Sequence, residues 1–255
     1  MSAELAFKPR ILGIICNWCC YGGADLAGVS RFQYPPYIRL IRVMCSGRVE
    51  MEHILRAFSN GQDAVFIGGC HLSDCHYNTE GNYDAIRMVS ICKKILERIG
   101  MNPERLRLEW VSAGEGIRFA NIMNEFGREI ERLGPLGKSE GMDEKTLKSK
   151  LEAVTKLVPY IKLVDIERLR VRFKTDEEYS EFFSSGEGNR LFEETVGEKL
   201  ADSQIIALLR ERPLVTGEIA KVLDLTPSDV SRHLNNSIRH GLVRYDEGLK
   251  CYALA

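Results

Sequence analysis

ILGIIC, residues Ile11–Cys16, is an apolar run rich in β-branched side chains that ends on a thiol. Its length predicts a strand, and the lack of polar alternation predicts one buried on both faces, as in a parallel sheet. The same design recurs in YIRLIRVMC, Tyr37–Cys45, and in DAVFIGGC, Asp63–Cys70, each with its thiol only at the C-terminal end. RLRLEWVSA, Arg105–Ala113, reads as a fourth strand. Helical periodicity fills the gaps. VEMEHILRAFSNG sets Val49, Ile54, Leu55 and Phe58 on one face and stops at Gly61; NYDAIRMVSICKKILERIG turns Ile86, Val89, Ile91, Ile95, Leu96 and Ile99 inward and closes on Gly100. Ser112, with Glu115 in the spacing of a capping box, opens a further helix. Strand and helix alternating in this order predict an α/β domain over residues 1–137, with a parallel sheet covered on its faces. The C-terminal ends of such strands open on one crevice, where the thiols should converge.

The pattern changes at GPLGKSEGMDEK, Gly134–Lys145, whose glycines and charges mark a boundary. Residues 138–199 read as a helical connector interrupted by Pro159, Gly186, Gly188 and Gly197, with a flexible patch at SSGEGN. Residues 200–255 read as helix, turn, helix, then hairpin. Thr226 is the expected N-cap of a helix with Pro227 at its first position, and LVRY and KCYAL flank Asp246, Glu247 and Gly248 as hairpin strands would. The whole resembles a winged helix-turn-helix domain, with Ser228 to Arg239 in the place of the recognition helix.

Composition excludes some classes of function. The chain has 255 residues, 44% of them hydrophobic, and a formal charge of -1. No apolar run approaches the roughly 20 residues that span a bilayer, and MSAELAFKPR lacks the layout of a signal peptide, so a cytoplasmic protein is expected. Near-zero charge gives no bulk attraction to nucleic acid or an anionic membrane. No Gly-rich dinucleotide motif, P-loop or nucleophile with its base is evident, so no catalytic residue is assigned.

Eight cysteines in a reducing compartment argue for metal ligation or thiol chemistry rather than disulfides. Cys16, Cys19, Cys45, Cys70 and Cys75 are the candidate ligands. Such a cluster can hold zinc, hold a 2Fe–2S or 4Fe–4S centre, or act as a dithiol. Structural zinc favours paired C-x2-C knuckles on small loop-rich modules, whereas these thiols end strands of a large domain and the second pair is C-x4-C. A 2Fe–2S centre takes two thiolates per iron, and Cys16/Cys19 and Cys70/Cys75 are close enough in sequence for each pair to grip one iron, with Cys45 a fifth candidate for four places. His71 and His76, beside the C-x4-C, are of a type that can replace a thiolate, as in Rieske centres, but with five cysteines at hand they are read as donors of hydrogen bonds to the cluster or as lying on its protein-facing side. His53 is read as an ordinary surface residue, Cys92 and Cys251 as core residues, and Cys20 as ambiguous.

Four blocks in order carry a family resemblance: CNWCCYGGADLAG (Cys16 to Gly28), IRVMCSGRVE (Ile41 to Glu50), GGCHLSDCHYNTEGNYDA (Gly68 to Ala85) and WVSAGEGIRF (Trp110 to Phe119). Residues 7 to 135 resemble the iron–sulfur delta subunit of methyl-viologen-reducing, deazaflavin-non-reducing hydrogenase. The resemblance implies a 2Fe–2S electron-transfer subunit, without a substrate of its own. It would link a hydrogenase or formate dehydrogenase to heterodisulfide reductase in methanogens and related anaerobes, feeding a flavin that bifurcates electrons between ferredoxin and the heterodisulfide of coenzymes M and B. The family's five-cysteine pattern falls on Cys16, Cys19, Cys45, Cys70 and Cys75. Leu72-Ser73 departs from it, since the family commonly has Pro-Gly there, and the chain after about residue 140 runs past the shared domain.

The competing reading is an iron–sulfur redox-sensing transcriptional regulator in which the winged helix binds DNA. From Leu200 to Ala255 seven basic residues face seven acidic ones, leaving no net positive charge for phosphates. Asp229 near the start of the recognition helix opposes DNA as well, although Arg232, His233, Asn235, Asn236 and Arg239 are of the types that reach base edges. Docking to protein or dimerisation is the expected use of this domain, since fold alone does not fix function. A thiol oxidoreductase using Cys16 and Cys19 accounts for only two of the five thiols.

Overall fold

A computed structural model describes residues 7–77 and 80–255. Most of MSAELAFKPR, read above for targeting signals, and Asn78–Thr79 of the third family block lie outside the described residues. Two compact units divide the chain: one runs through Asp143 and regains Arg170–Gly188, the other takes Glu144–Leu169 and Asn189–Ala255. The stretch 138–199 is thus shared between them.

The first unit carries a four-stranded parallel sheet in the order β2-β1-β3-β4. Its strands are β1 (Ile11–Cys16), β2 (Ile38–Val43), β3 (Ala64–Gly69) and β4 (Leu106–Trp110). β3 is buried throughout, as its unbroken apolar run requires, whereas edge strand β2 is largely open to solvent. Helices α1 (Cys20–Val29), α2 (Met51–Ser59), α3 (Gly81–Arg98) and α4 (Gly116–Leu133) follow the four strands in turn. α1 and α4 pack together, and Ala27, Phe119, Met123 and Phe126 share one core with Ile11, Ile15 and Phe66 of the sheet. Ile14, Val65 and Ile67 alternate to the other face, where α2 and α3 pack. Gly61 and Gly100 stop α2 and α3 with φ of 77° and 79°.

Two local expectations change. The helix expected from Ser112 begins only at Gly116; Glu115 sits at its N-cap and turns its carboxylate back to accept the Ser112 N–H at 2.7 Å. The segment after α4 is tightly held. Arg105, fully buried, donates Nη1–H to the carbonyls of Asp63 (3.1 Å) and Gly134 (3.0 Å), Nη2–H to Ser139 (2.5 Å) and Nε–H to Glu140 (2.5 Å). Asp63 adds bonds from the N–H groups of Arg10 and Leu136. Further along, α6 (Asp176–Ser184) packs on α3 with Tyr179 fully buried.

The second unit contains α5 (Glu144–Glu167), which packs along α8 (Glu198–Glu211) through Leu151, Val154 and Val158. SSGEGN runs into α7 (Gly186–Phe192). Then come α9 (Thr216–Leu223), α10 (Pro227–Arg239) and the antiparallel hairpin β5 (Val243–Asp246) and β6 (Cys251–Leu254). Thr226 caps α10 as expected, its Oγ1 accepting the Asp229 N–H at 3.1 Å, with Pro227 following. Ile205, Leu209, Leu214, Ile219, Val230, Leu234 and Val243 form the core of a winged helix-turn-helix. Among the described residues no helix is long and apolar enough to cross a membrane.

Candidate metal centre

Neighbouring strands β1 and β3 send their following helices, α1 and α3, to opposite faces of the sheet. Between their C-terminal ends lies the topological switch point, where open α/β sheets bind ligands. Register pairs Ile15 with Gly68, which sets Cys16 level with Gly69, one residue before Cys70. Cys16 and Cys70 therefore meet there, their sulfurs 3.6 Å apart. Two thiolates on one tetrahedral metal, with bonds of about 2.3 Å, stand about 3.8 Å apart.

Cys19, in the turn before α1, lies at the same place, near enough for Cys70 and Cys16 to act on its thiol. Cys45 and Cys75 form a second group, their sulfurs both beside Gly81. Their meeting depends on Gly81. This residue opens α3 with a φ of 36°, and a Cβ there would come within 2.5 Å of the Cys75 sulfur and 3.5 Å of the Cys45 sulfur. The thiols thus group by space as Cys16, Cys19 and Cys70 against Cys45 and Cys75, which differs from the sequence pairs Cys16/Cys19 and Cys70/Cys75. The loop after Cys70 carries Cys75 across to the end of β2.

Electrostatics distinguish Cys16, Cys19, Cys45 and Cys70 from one another. The hydrogen bond with Cys70 and, against burial, the N–H groups of Cys20, Cys19 and Trp18 bring Cys16 down to about 6. The Cys20 N–H lies 3.3 Å from that sulfur. Cys70 is correspondingly raised, first by its bond to Cys16 and then by burial. Burial pushes Cys45 up to about 11, opposed by the Gly47 N–H at 3.4 Å from its sulfur. Cys19 is also raised by burial. N–H groups aimed at sulfur in this way stabilise thiolates and the negative charge of a reduced cluster. Among the described residues no three His, Cys, Asp or Glu side chains surround a single ion position. An all-sulfur donor set in two groups, lined by backbone N–H and a glycine that leaves room, fits an iron–sulfur cluster.

Several neighbours carry no mark in the sequence. Asn82, fully buried, donates to the carbonyls of Cys70 (3.0 Å) and His71 (2.7 Å) and so pins the thiol loop. An asparagine in the first turn of a helix is an ordinary residue in sequence, and nothing in its spacing sets Asn82 apart. His71 turns its Nε2 to Glu115 at 2.7 Å, and His76 stacks on Trp18 with ring centroids 4.1 Å apart. Both histidines thus have protein partners beside the thiol loop. His53 accepts the Glu50 N–H in the cap of α2. Cys92 is fully buried in α3 and pushed up to about 12 by burial, Cys251 is buried in the hairpin, and Cys20 is fully buried beside Cys16. The turn at Leu72-Ser73 is informative: Asp74 N–H bonds to the His71 carbonyl at 3.0 Å, and Ser73 has a φ of 69°. That is the turn which favours Pro then Gly at its two central positions, the pair that the family resemblance leads one to expect here.

Residues 11–134 match the profile of the methyl-viologen-reducing hydrogenase delta subunit. The iron-sulfur subunit of an F420-non-reducing hydrogenase from Archaeoglobus profundus is 53% identical over 135 residues, 53% of this chain and 96% of the relative. The chain belongs to this delta-subunit family. The corresponding iron-sulfur subunit of the vhc F420-non-reducing hydrogenase of Methanococcus voltae is 54% identical over 129 residues, covering 51% of this chain and 89% of the relative. The delta-subunit domain also occurs inside a longer protein. A polypeptide of the ferredoxin/F(420)H(2)-dependent CoB-CoM heterodisulfide reductase of Methanosarcina acetivorans is 49% identical over 136 residues, 53% of this chain but 17% of the relative. Residues 203–245 match a second profile, the arsR family of bacterial regulatory proteins.

Two of the five base-reading candidates of that second domain are engaged within it. Arg232 forms a two-pronged ion pair with Glu198 and a further one with Asp229 at 3.5 Å. His233 is buried, its Nδ1 2.7 Å from Asp202 Oδ1. Asn235, Asn236 and Arg239 are exposed.

Proposed function

We propose that this chain is a 2Fe–2S electron-transfer subunit that connects a hydrogenase or formate dehydrogenase to heterodisulfide reductase, upstream of flavin-based bifurcation, in a cytoplasmic methanogen-type complex. The observation that carries the reading is the pair Cys16 and Cys70, 3.6 Å apart at the sheet's switch point with Cys19, Cys45 and Cys75 around it. Four of these five would hold the cluster, which when bound supplies a one-electron relay. The chain's own groups keep Cys16 ready as a thiolate, bury the sulfurs and hold their loops through Asn82. The names of the relatives support the partners: two are iron-sulfur subunits of hydrogenases, and a heterodisulfide reductase polypeptide carries the same domain within a longer chain. Anaerobic purification tests the cofactor. Iron and sulfide in 2Fe–2S stoichiometry with a one-electron paramagnetic resonance signal are expected; stoichiometric zinc without visible absorption overturns the reading.

The match of residues 203–245 to the arsR profile favours a second reading, a cluster-bearing transcriptional regulator. The engagement of Arg232 and His233 within their own unit weighs against it. Salt-dependent duplex binding by the full chain, tighter than the roughly micromolar nonspecific range, would establish it.

A further inference from the structure

Asp176, the first residue of α6, is a half-buried carboxylate with no part in the function above. Its Oδ2 accepts the Trp110 Nε1–H at 2.6 Å, while Oδ1 is buried with no partner among the described residues. Burial raises its pKa, with the indole donor opposing. A carboxylate taken out of water with one oxygen unpaired opposes folding, so its presence calls for a reason. Helix capping is not that reason, because Thr175 and Glu178 already form a complete capping box. What Asp176 holds is the ring of Trp110, the last residue of β4 and 8% exposed.

That ring lies against the thiol loops. A Cβ built on Gly69 would come within 2.5 Å of Trp110 Cζ3 and 2.7 Å of Ser46 Oγ, so indole, glycine backbone and serine hydroxyl crowd one spot. Gly69 precedes Cys70 and Ser46 follows Cys45, one from each group of thiols. The Val111 N–H also bonds to the Gly69 carbonyl at 3.0 Å, tying the Trp110 backbone to the same place. The rest of the returning segment is seated nearby: Arg170 pairs with Glu80 at 3.6 Å, and the Arg172 guanidinium lies 4.8 Å over the Tyr83 ring. Asp176 lies beyond residue 134, where the delta-subunit match ends.

We propose that Asp176 is a positioning residue for the thiol site, acting through Trp110 to fix the backbone at Gly69–Cys70 and Cys45–Ser46 and so the spacing of the two thiol groups. The proposal rests on the reading that these thiols hold an iron–sulfur cluster. It is tested in the full chain, purified anaerobically, by iron content, paramagnetic resonance of the reduced protein and midpoint potential. Asp176→Ala should keep iron at the wild-type level yet shift the resonance and the potential. Trp110→Phe, which keeps an aromatic ring but loses the donor, should give the same shifts, and the double variant should go no further than either single one, as for two residues acting as a unit. Asp176→Asn keeps an oxygen for the indole N–H and should restore the wild-type signature. Wild-type resonance and potential in both Asp176→Ala and Trp110→Phe at full iron would overturn the proposal, as would an Asp176→Asn variant no better than the alanine. Should Asp176→Ala fail to fold, Trp110→Phe decides alone. A wild-type chain without iron would instead overturn the cluster reading, and the positioning role with it.

Discussion

The two units of this chain are stabilised by different kinds of interior. In the sheet unit, the C-terminal edge is filled with sulfur and polar groups: Cys16, Cys20, Cys45, Cys70, Cys75, Ser46 and Asn82 are all buried, and Arg105 is buried at the opposite ends of the strands. In the winged-helix unit the core is aliphatic, from Ile205 to Val243, and polar pairs lie at its margin: Arg232 with Glu198 at the surface and the buried His233 with Asp202. A unit that buries donors and acceptors gains a site but depends on every partner being in place. An aliphatic core depends on volume alone. Metal loss and pH should therefore act on the first unit and leave the second nearly untouched.

The strongest way to break this contrast is to remove a thiol. Cys70→Ser or Cys75→Ser should abolish the cluster, because one residue comes from each spatial group, whereas Cys92→Ser and Cys251→Ser should leave iron per chain unchanged. Full iron in either of the first two variants would mean that the thiol groups are incidental. Next in size is Arg105→Met. It strands the Glu140 carboxylate and the carbonyls of Asp63 and Gly134, and breaking a buried pair from one side costs about 3–5 kcal/mol. Hydrogen exchange should show the loss in residues of the first unit and not in α8 to α10.

The same pair gives the pH dependence its sign. Burial alone would raise the Glu140 carboxyl, but Arg105, Ser139 and the Gly137 N–H overcome it and hold the group below its ordinary value. A carboxyl whose folded pKa is depressed contributes stability that is full above its unfolded pKa and is lost as pH falls through the folded value. Stability of the first unit should thus fall as pH drops below the ordinary carboxylate range, and Glu140→Gln should flatten that slope. Glu198, lowered by Arg232 in the second unit, is 42% exposed and should contribute far less because solvent screens it. Leu234→Ala, a fully buried residue of α10, should cost the second unit about 2–5 kcal/mol with no change in iron.

Much of the first unit was legible because its strands are written without interruption. β1 is ILGIIC in sequence and in structure, and thiols at three strand ends foretold their convergence. Which thiols meet was not legible. It is decided by Gly81 at positive φ and by a loop that carries Cys75 to the end of β2, and neither leaves a periodic trace. The return of α6 to the sheet unit was also hidden, since 170–188 is a short charged segment whose attachment rests on single contacts such as Asp176 to Trp110. The winged helix was legible for the opposite reason: its caps, turn and hairpin are local signals, and Thr226-Pro227 marks the start of α10 without reference to anything distant.

The smallest predicted effect tests the turn at Leu72-Ser73, where the family resemblance implies Pro-Gly. Ser73 occupies a turn position with a φ of 69°, bounded by the His71 carbonyl to Asp74 N–H bond. A side chain there costs roughly 1 kcal/mol or more relative to glycine. Part of that cost is offset by the Ser73 hydroxyl, 3.3 Å from the Tyr83 hydroxyl, although this bond is exposed. Ser73→Gly should therefore raise the stability of the sheet unit by less than about 1 kcal/mol, and Leu72→Pro with it should add a further few tenths by restricting the unfolded chain. Both changes lie between Cys70 and Cys75 without touching either thiol, so iron content should not move. A loss of iron in Ser73→Gly would show that the hydroxyl contact to Tyr83, and with it the start of α3, helps to hold the second thiol group, bringing Ser73 inside the site rather than beside it.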